Sequence, residues 1–282
     1  MKENMNSPIP YVGGKSRLAA RIVSMIPPHK VYCEACAGAG WVFFRKDPAI
    51  SKVEVLNDLD GSLVAFYRAV KDSFKEFSEE FKWELISRRL FDEYKVSLEA
   101  DDSSLTDIQR AARYYYVQKL CFGGKVKSRH FSNMISRQHA PREDFRPPPL
   151  YLSEIEQRLM PVHLRLQRCV IENLPALDLI SRYDAPGVFF FIDPPYYKAG
   201  YYRHNMALDD YRQLADVLKD IKGKFLLTIG GHPEIVDIFG GFEMQTAELD
   251  YRINATRPKK AVELIFTSYT PAGRGQNFDM VG

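Results

Sequence analysis

Apolar and polar positions along the chain fall into short blocks that differ in period. Apolar runs with the length of β-strands lie at 31–36, 53–56, 168–171, 187–192, 224–229, 242–249 and 262–269. Between most of them, apolar residues recur at helical spacing, as at Leu18 and Ile22, and Asp210 and Gln213 resemble a capping box that opens a helix over 211–221. Strands that alternate with helices are typical of a parallel sheet covered on both faces. The pattern therefore predicts an α/β fold with seven strands, mostly parallel, and the last strand antiparallel.

The alternation of strands and helices is interrupted between residues 71 and 149. Residues 71–100 carry mixed charge in a helical pattern, and a second helical pattern covers 107–120. A proline run at 147–149 ends the interruption as a stiff spacer. We therefore predict one α/β domain in two pieces, 1–70 and 150–272, with an inserted, mainly helical lobe at 71–149 and a flexible tail at 273–282.

The strand at 187–192 leads into the sequence Asp193-Pro194-Pro195-Tyr196. Because proline cannot continue the hydrogen bonding of a sheet, the strand stops and presents Asp193 and Tyr196 at its carboxyl end, where open α/β sheets bind ligands. These groups suit a planar amine: the carboxylate accepts one N–H, the Pro194 carbonyl accepts the other, and the tyrosine ring offers a stacking face. The alternative interpretation is a buried strand followed by a proline-rich turn.

A glycine turn, Ala37-Gly38-Ala39-Gly40, separates the first strand from the helix that begins near Trp41. Glycines at this place let backbone N–H groups approach a bound cofactor. Phe43 replaces the third glycine of a dinucleotide-binding motif, which argues against a dinucleotide. About twenty residues after the turn, Asp58 ends the second strand where a ribose diol is held. Asp58 and Asp60 can each cap the next helix; one assignment that fits both binds the diol with Asp58 and caps with Asp60.

Two further motifs invite interpretations that the rest of the chain does not support. Gly13-Gly14-Lys15-Ser16 resembles a phosphate loop, but that loop needs a glycine where Ile9 stands. Cys33 and Cys36 have the spacing of a zinc or redox pair, yet no second pair of cysteines or histidines supplies further ligands. We therefore expect no metal, and small thiols that pack around the glycine turn in a reduced cytoplasm.

Charge changes this picture only locally, because a net charge of +3 is too small to identify a partner. Cations are concentrated in the insertion after Gly123-Gly124, at Lys125, Lys127, Arg129 and Arg137. Alternating cations in a hairpin can follow a phosphate backbone, and a solvated loop is the alternative interpretation. The sequence shows no signal peptide and no membrane-spanning run, so we expect a cytoplasmic protein that does not bind membranes and is a monomer in solution.

Taken in order, these motifs resemble the DNA adenine N6-methyltransferase family typified by the Dam enzymes. The matching stretches are Pro10-Tyr11-Val12-Gly13-Gly14-Lys15, Glu34-Ala35-Cys36-Ala37-Gly38-Ala39-Gly40, Asn57-Asp58-Leu59-Asp60, Asp193-Pro194-Pro195-Tyr196 and a terminal Arg252, Lys259-Lys260 and Glu263-Leu264. Ala35 and Cys36 replace the family's frequent Pro-Phe, and Ala39 replaces its Ser; these swaps are small and should leave cofactor binding intact. The insertion matches the family's specificity region poorly, so no target sequence is carried over.

The resemblance implies a Rossmann-like methyltransferase sheet, S-adenosylmethionine as methyl donor, and a flipped-out adenine in double-stranded DNA as acceptor. It implies cofactor contacts from Tyr11, Lys15, Glu34, Ala37, Gly38, Ala39, Gly40, Asp58 and Asp193. The expected catalytic residues, which hold the amine and stack on the base, are Asp193, Pro194, Pro195 and Tyr196. The expected DNA contacts are Lys125, Lys127, Arg129, Arg137, Lys259 and Lys260. Among these, Arg129 is expected to read a base edge.

Enzymes of similar fold methylate other planar amines, and these remain alternative functions. Cytosine N4 enzymes more often carry serine at the position of Asp193, and RNA and protein-glutamine enzymes tend to carry asparagine, so the aspartate favours adenine. A catalytically idle DNA-binding module is an alternative of a different class. The intact Asp193–Tyr196, Gly38, Gly40 and Asp58 argue against such a loss of activity.

Overall fold

The computed structural model describes residues 5–125, 127, 129–131, 150–200, 202–251 and 259–271, with the backbone alone at 249–251 and 259–261. The strands within this part of the chain are β1 (Val31–Glu34), β2 (Val53–Asn57), β3 (Cys169–Glu172), β4 (Val188–Ile192), β5 (Lys224–Gly230), β6 (Glu243–Tyr251) and β7 (Lys259–Thr267). These seven strands form one sheet in the order β3-β2-β1-β4-β5-β7-β6.

The strand directions confirm the predicted Rossmann-like sheet. Neighbouring strands from β3 to β5 are parallel, whereas β7 is antiparallel to both β5 and β6. The middle strand, β4, is buried along its whole length because its sequence Val-Phe-Phe-Phe-Ile is apolar on both faces. Phe189 and Phe191 enter the core on one face of the sheet, and Phe190 and Ile192 enter the core on the other. Asp193 therefore follows a strand that is held from both sides.

Helices cover both faces of the sheet, as the alternating pattern predicts. Those in the described residues are α1 (Ala19–Met25), α2 (Trp41–Arg45), α3 (Gly61–Asp72), α4 (Phe74–Glu79), α5 (Arg88–Glu99), α6 (Asp107–Leu120), α7 (Ile155–Leu166), α8 (Ala176–Tyr183), α9 (Leu208–Lys219) and α10 (Pro233–Phe239). One apolar core contains residues of α1, α2, α3, α6 and α7, and the other contains residues of α8, α9 and α10.

The inserted segment contributes the helices α4, α5 and α6. It adds no strand to the main sheet within the described residues. Cys121 and Phe131 form an isolated antiparallel bridge outside that sheet. The longest of its helices, α6, packs on α3, and the ring of Tyr115 stacks on Phe66 with 5.3 Å between the ring centroids. Helix α6 thus shares an apolar core with helices of the sheet. The proposed division into two domains and a tail stays a prediction.

One predicted helix boundary is wrong. Helix α9 begins at Leu208, and Asp210 lies in its first turn, where its carboxylate accepts a hydrogen bond from the backbone N–H of Ala207 at 2.7 Å. Asp210 is thus the acidic partner inside a first turn and not the residue before the helix, because an Asp can serve either end of a capping box. None of the helices described here is long and apolar enough to cross a membrane.

Candidate active site

A cavity of about 320 Å³ lies at the carboxyl ends of β1 and β4, where the two strands pair in parallel. Its lining includes the glycine turn, Asp58 at the end of β2, Asp193 after β4, and the N-terminal segment 11–15. The structure thus brings together residues that are far apart in the chain, at the sheet edge where α/β folds bind ligands. The size of the cavity is in the range of small-molecule sites.

The glycine turn is shaped by backbone that favours glycine. Gly38 and Gly40 have φ values of 48° and 65°, and Gly40 immediately precedes α2. A Cβ atom at Gly38 would lie 3.1 Å from the ring of Tyr11, and one at Gly40 would lie 3.1 Å from the ring of Phe44. The turn therefore approaches both rings more closely than another residue would allow, and Tyr11 lies against the wall of the cavity.

Asp60, and not Asp58, caps α3. The carboxylate of Asp60 accepts a hydrogen bond from the Ser62 N–H at 3.0 Å. The Asp58 carboxylate accepts instead from the N–H groups of Gly38 at 2.8 Å and Asp60 at 2.9 Å. Asp58 also lines the cavity, and burial raises its pKa to about 6. Because an ionised carboxylate accepts more than two hydrogen bonds, Asp58 retains capacity for a hydroxyl donor.

Asp193 is held by an ammonium group and a hydroxyl. Lys15 Nζ lies 2.6 Å from Oδ1 and 2.7 Å from Oδ2 of Asp193, and Thr228 on β5 donates to Oδ1 at 3.0 Å. Burial raises the pKa of Asp193 to about 6, against the opposing effect of Lys15. Lys15 is only 5% exposed, and although burial alone would lower its pKa, Asp193 and Glu263 raise it. Lys15 is therefore a buried cation that is paired with carboxylates and not a solvated surface charge.

Tyr196 is fixed at both its hydroxyl and its ring. The hydroxyl donates to Glu263 and accepts from Lys15 at 2.8 Å. The ring lies against Gly230, where a Cβ atom would come within 2.9 Å of it. The preceding turn is anchored by the hydroxyl of Tyr211, which donates to the Pro195 carbonyl. These contacts hold the Asp193–Tyr196 turn in one conformation.

Glu34 is a further carboxylate that lines the cavity. It ends β1, is 1% exposed, and accepts a hydrogen bond from the hydroxyl of Tyr32 at 2.7 Å. Burial raises its pKa to about 8. A cationic group placed in the cavity would oppose this effect and favour the ionised form.

The residues predicted to contact DNA fall into three groups. Lys125 and Lys127 are exposed. Arg129 is 4% exposed, with its guanidinium 5.2 Å from the ring centroid of Tyr114, so its burial does not favour the expected base contact in this conformation. Arg137 lies outside the described residues. Lys259 and Lys260 are the first residues of β7, where the structure describes the backbone alone. The DNA contacts stay predictions.

Two residues of the site have no role in the sequence-based prediction. Thr228 and Glu263 contact the Asp193–Tyr196 turn from β5 and β7. Glu263 occurs in the terminal stretch that carries the resemblance, and that was the available signal. Its contact with Tyr196 could not be predicted from the sequence, because it depends on the antiparallel register that places Glu263 opposite Gly230. Among the described residues, no group of three or more His, Cys, Asp or Glu could hold a metal ion.

Comparison with known proteins agrees with this geometry. A family model described as "D12 class N6 adenine-specific DNA methyltransferase" matches residues 11–252. The chain is also similar to the Type II methyltransferase M.CviBI of Paramecium bursaria Chlorella virus NC1A, with 24% identity over 252 residues, which are 86% of this chain and 90% of that protein. The region that the family model matches begins at Tyr11 and includes the glycine turn, Asp58 and the Asp193–Tyr196 turn.

Proposed function

The chain belongs to the D12 class N6 adenine-specific DNA methyltransferases, and we propose that its methyl donor is S-adenosylmethionine, held in the cavity at the ends of β1 and β4. We further propose that the acceptor is an adenine that has left the DNA duplex and lies between Asp193 and Tyr196. One observation supports both proposals: Asp193 and the glycine turn line the same cavity, so a cofactor held by the turn would lie beside a base held by Asp193.

The groups that line the cavity fit this cofactor in charge and shape. Glu34 is a buried carboxylate suited to the ammonium of the methionine part, and Asp58 is a carboxylate suited to the ribose hydroxyls. The glycine turn leaves room for a ligand beside the backbone, and Tyr11 covers that turn. When bound, S-adenosylmethionine supplies an electrophilic methyl group on a sulfonium.

The chain's own residues prepare the nitrogen for attack. The lone pair of the adenine amine is delocalised into the ring, so the free amine is a poor nucleophile. Asp193 and the Pro194 carbonyl accept hydrogen bonds from its two N–H groups and draw the nitrogen toward tetrahedral geometry, which directs the lone pair at the methyl carbon. With the cofactor bound, its methyl carbon would bond to this nitrogen while the sulfonium leaves as a neutral thioether, and the extra proton would pass from the nitrogen to water after the transfer. Tyr196 stacks on the base and offsets part of the cost of its extrusion, a few kcal/mol.

Methyl transfer from labelled S-adenosylmethionine to duplex DNA tests the proposal, with the modified nucleoside identified after digestion. The expected product is N6-methyladenine. Labelled N4-methylcytosine, or label that appears only in RNA or protein, would contradict the proposed acceptor. Absence of any transfer by a protein that binds S-adenosylmethionine and DNA would indicate an idle binding module.

A further inference from the structure

Glu263 is a buried carboxylate at the centre of contacts with the proposed amine-binding residues. It is 2% exposed and lies on β7, opposite Gly230 of β5. It accepts a hydrogen bond from the Tyr196 hydroxyl and lies 3.4 Å from Lys15 Nζ. Burial of a carboxylate is costly unless it is paired, so these two contacts account for its place in the fold.

The protons of Lys15 are already committed before any base is present. The ammonium has three protons, and it donates to the Gly13 carbonyl at 3.0 Å, to Asp193 at 2.7 Å and to the Tyr196 hydroxyl at 2.8 Å. The second oxygen of Asp193 also lies 2.6 Å from the ammonium and accepts from Thr228. An adenine amine that binds Asp193 must therefore compete with Lys15 for the same carboxylate.

We infer that Glu263 is a positioning residue for the methyl transfer: it holds the Tyr196 hydroxyl and accepts Lys15 when the adenine amine takes its place on Asp193. The inference rests on the proposed function. A buried ammonium that lost its carboxylate without a second one would be strongly disfavoured. Glu263 is the second carboxylate within reach, so a small displacement of Lys15 from Asp193 toward Glu263 opens the amine site without leaving a buried charge unpaired.

The electrostatics of Asp193 give this arrangement a signature in the pH dependence. Asp193 is faced by Lys15 from the N-terminal segment, Thr228 from β5 and Glu263 from β7. The Tyr196 hydroxyl, Glu34 at the end of β1 and Cys36 after β1 also interact electrostatically with it. Burial raises the pKa of Asp193 to about 6; Lys15 lowers it and Glu263 raises it further. Since the ionised form accepts the amine, activity should be lost as the pH falls through this pKa.

The test compares Glu263→Gln, Glu263→Asp, Tyr196→Phe and the double variant Glu263→Gln/Tyr196→Phe in single-turnover methyl transfer at saturating DNA. Glu263→Gln replaces a charge-assisted hydrogen bond with a neutral one and deprives Lys15 of its second carboxylate, so the transfer should slow by about 10- to 100-fold with cofactor affinity unchanged. Tyr196→Phe, which removes the hydrogen bond and keeps the charge, should lose a similar factor. The double variant should be little slower than Glu263→Gln alone, because both substitutions act on the same hydrogen bond.

The pH profile separates a positioning role from a structural one. Glu263→Gln removes the negative charge that raises the pKa of Asp193, so the acidic limb should move to lower pH. Glu263→Asp keeps the negative charge, but its shorter side chain withdraws the carboxylate from the Tyr196 hydroxyl. This variant should therefore be slow while its acidic limb stays in place, and it tests the inference if Glu263→Gln does not fold. Glu248→Gln, an exposed glutamate on the neighbouring β6, is the control and should match the unmodified protein.

Two outcomes would overturn the inference. One is a Glu263→Gln protein with the unmodified rate, and the other is losses that multiply in the double variant together with an unmoved acidic limb. These differ from failure of the proposed function, which would appear as absence of adenine methylation by the unmodified chain.

Discussion

Two buried ionic clusters in this protein have opposite net charge, and we expect one to bind a ligand and the other to stabilise the fold. The active-site cluster contains one cation and two carboxylates: Lys15, Asp193 and Glu263. The amino-end cluster contains two cations and one carboxylate: Lys46, Glu54 and Arg165. The first lies after the carboxyl end of β4 and borders the cavity, whereas the second lies near the amino end of β2 and does not.

In the amino-end cluster, both oxygens of the carboxylate are paired with cations. Glu54 Oε1 lies 2.5 Å from Lys46 Nζ and 2.8 Å from Arg165, whose other nitrogen is 2.5 Å from Oε2. Lys46 also donates to Ser51 at 2.8 Å, and Arg165 donates to the Phe43 carbonyl at 2.9 Å. A buried carboxylate that pairs with two cations ties elements together, and Glu54 does not border the cavity through which a ligand could reach it.

The active-site cluster, by contrast, has a surplus of carboxylate. One ammonium serves both Asp193 and Glu263, and Asp193 keeps 17% of its side chain exposed toward the cavity. Such a cluster can accept a further donor, and an amine is the donor that it suits. The two clusters thus differ in charge balance and in access to the cavity, and both differences fit a binding role for the first cluster and a stabilising role for the second.

The largest expected effect is loss of methylation by Asp193→Ala. The variant should be inactive while its affinity for S-adenosylmethionine stays within a few-fold, because the proposed partner of Asp193 is the base. Its unfolding midpoint should stay close to that of the unmodified protein, since Lys15 retains Glu263. The measurements are labelled methyl transfer, calorimetry and urea unfolding, with the exposed Asp209→Ala as matched control. An active Asp193→Ala protein would remove the main support for the mechanism.

The opposite result is expected at the amino-end cluster. Glu54→Gln leaves the buried Lys46 and Arg165 without a counter-charge, and should lower the free energy of unfolding by about 3–5 kcal/mol. Methyl transfer per folded molecule should be unchanged. Burial already lowers the pKa of Lys46, and loss of Glu54 should lower it further. The folded state then binds fewer protons than the unfolded state, so the stability of the variant should rise with pH.

Urea unfolding at neutral and alkaline pH measures this effect, and Glu93→Gln, which breaks the exposed pair with Arg89, is the control that should leave the midpoint unchanged. A Glu54→Gln protein as stable as the control would show that the amino-end cluster does not stabilise the fold. The contrast between the two clusters would then fail.

A smaller effect is expected from Asp58→Ala. Loss of a carboxylate that holds the ribose hydroxyls should weaken S-adenosylmethionine binding by about 1–3 kcal/mol, as judged from charge-assisted hydrogen bonds. Because the pKa of Asp58 is raised to about 6, binding to the unmodified protein should also weaken as the pH falls through that value. Calorimetry without DNA measures the affinity for S-adenosylmethionine, and Asp72→Ala, which removes an exposed acid at the end of α3, is the control that should leave this affinity unchanged. Unchanged affinity would leave Asp58 only as a partner of the glycine turn.

The smallest effect is expected from the exposed cations. We propose that Lys125 and Lys127 contact DNA phosphates, so each alanine variant should weaken binding equally on all sequences and reduce the salt slope by about one. DNA affinity measured over a salt series tests this, with Lys219→Ala on α9 as an exposed control. If both slopes equal that of the control, the segment is a solvated loop and the DNA surface lies elsewhere.

The sequence by itself determined the parts of this protein that depend on local pattern. The period of apolar residues predicted the strands, and the run before Asp193 was predicted as a strand that ends at the prolines. Its fully apolar sequence agrees with the burial of β4 along its whole length. Glycine and proline have backbone preferences of their own, so the turn at Gly38–Gly40 and the stop at Pro194 were also readable. The boundary at Asp210 was not, because the same residue type serves either end of a capping box.

Only the tertiary structure decided which polar side chains meet. The sequence shows that Lys15 and Arg129 are cations, but it does not show which groups they contact. In the structure, Lys15 pairs with Asp193, and the guanidinium of Arg129 lies over the ring of Tyr114. Glu263 reaches Tyr196 because β7 turns antiparallel and faces Gly230, which has no side chain in the way. These contacts depend on the order and register of strands far apart in the chain, which no local period encodes.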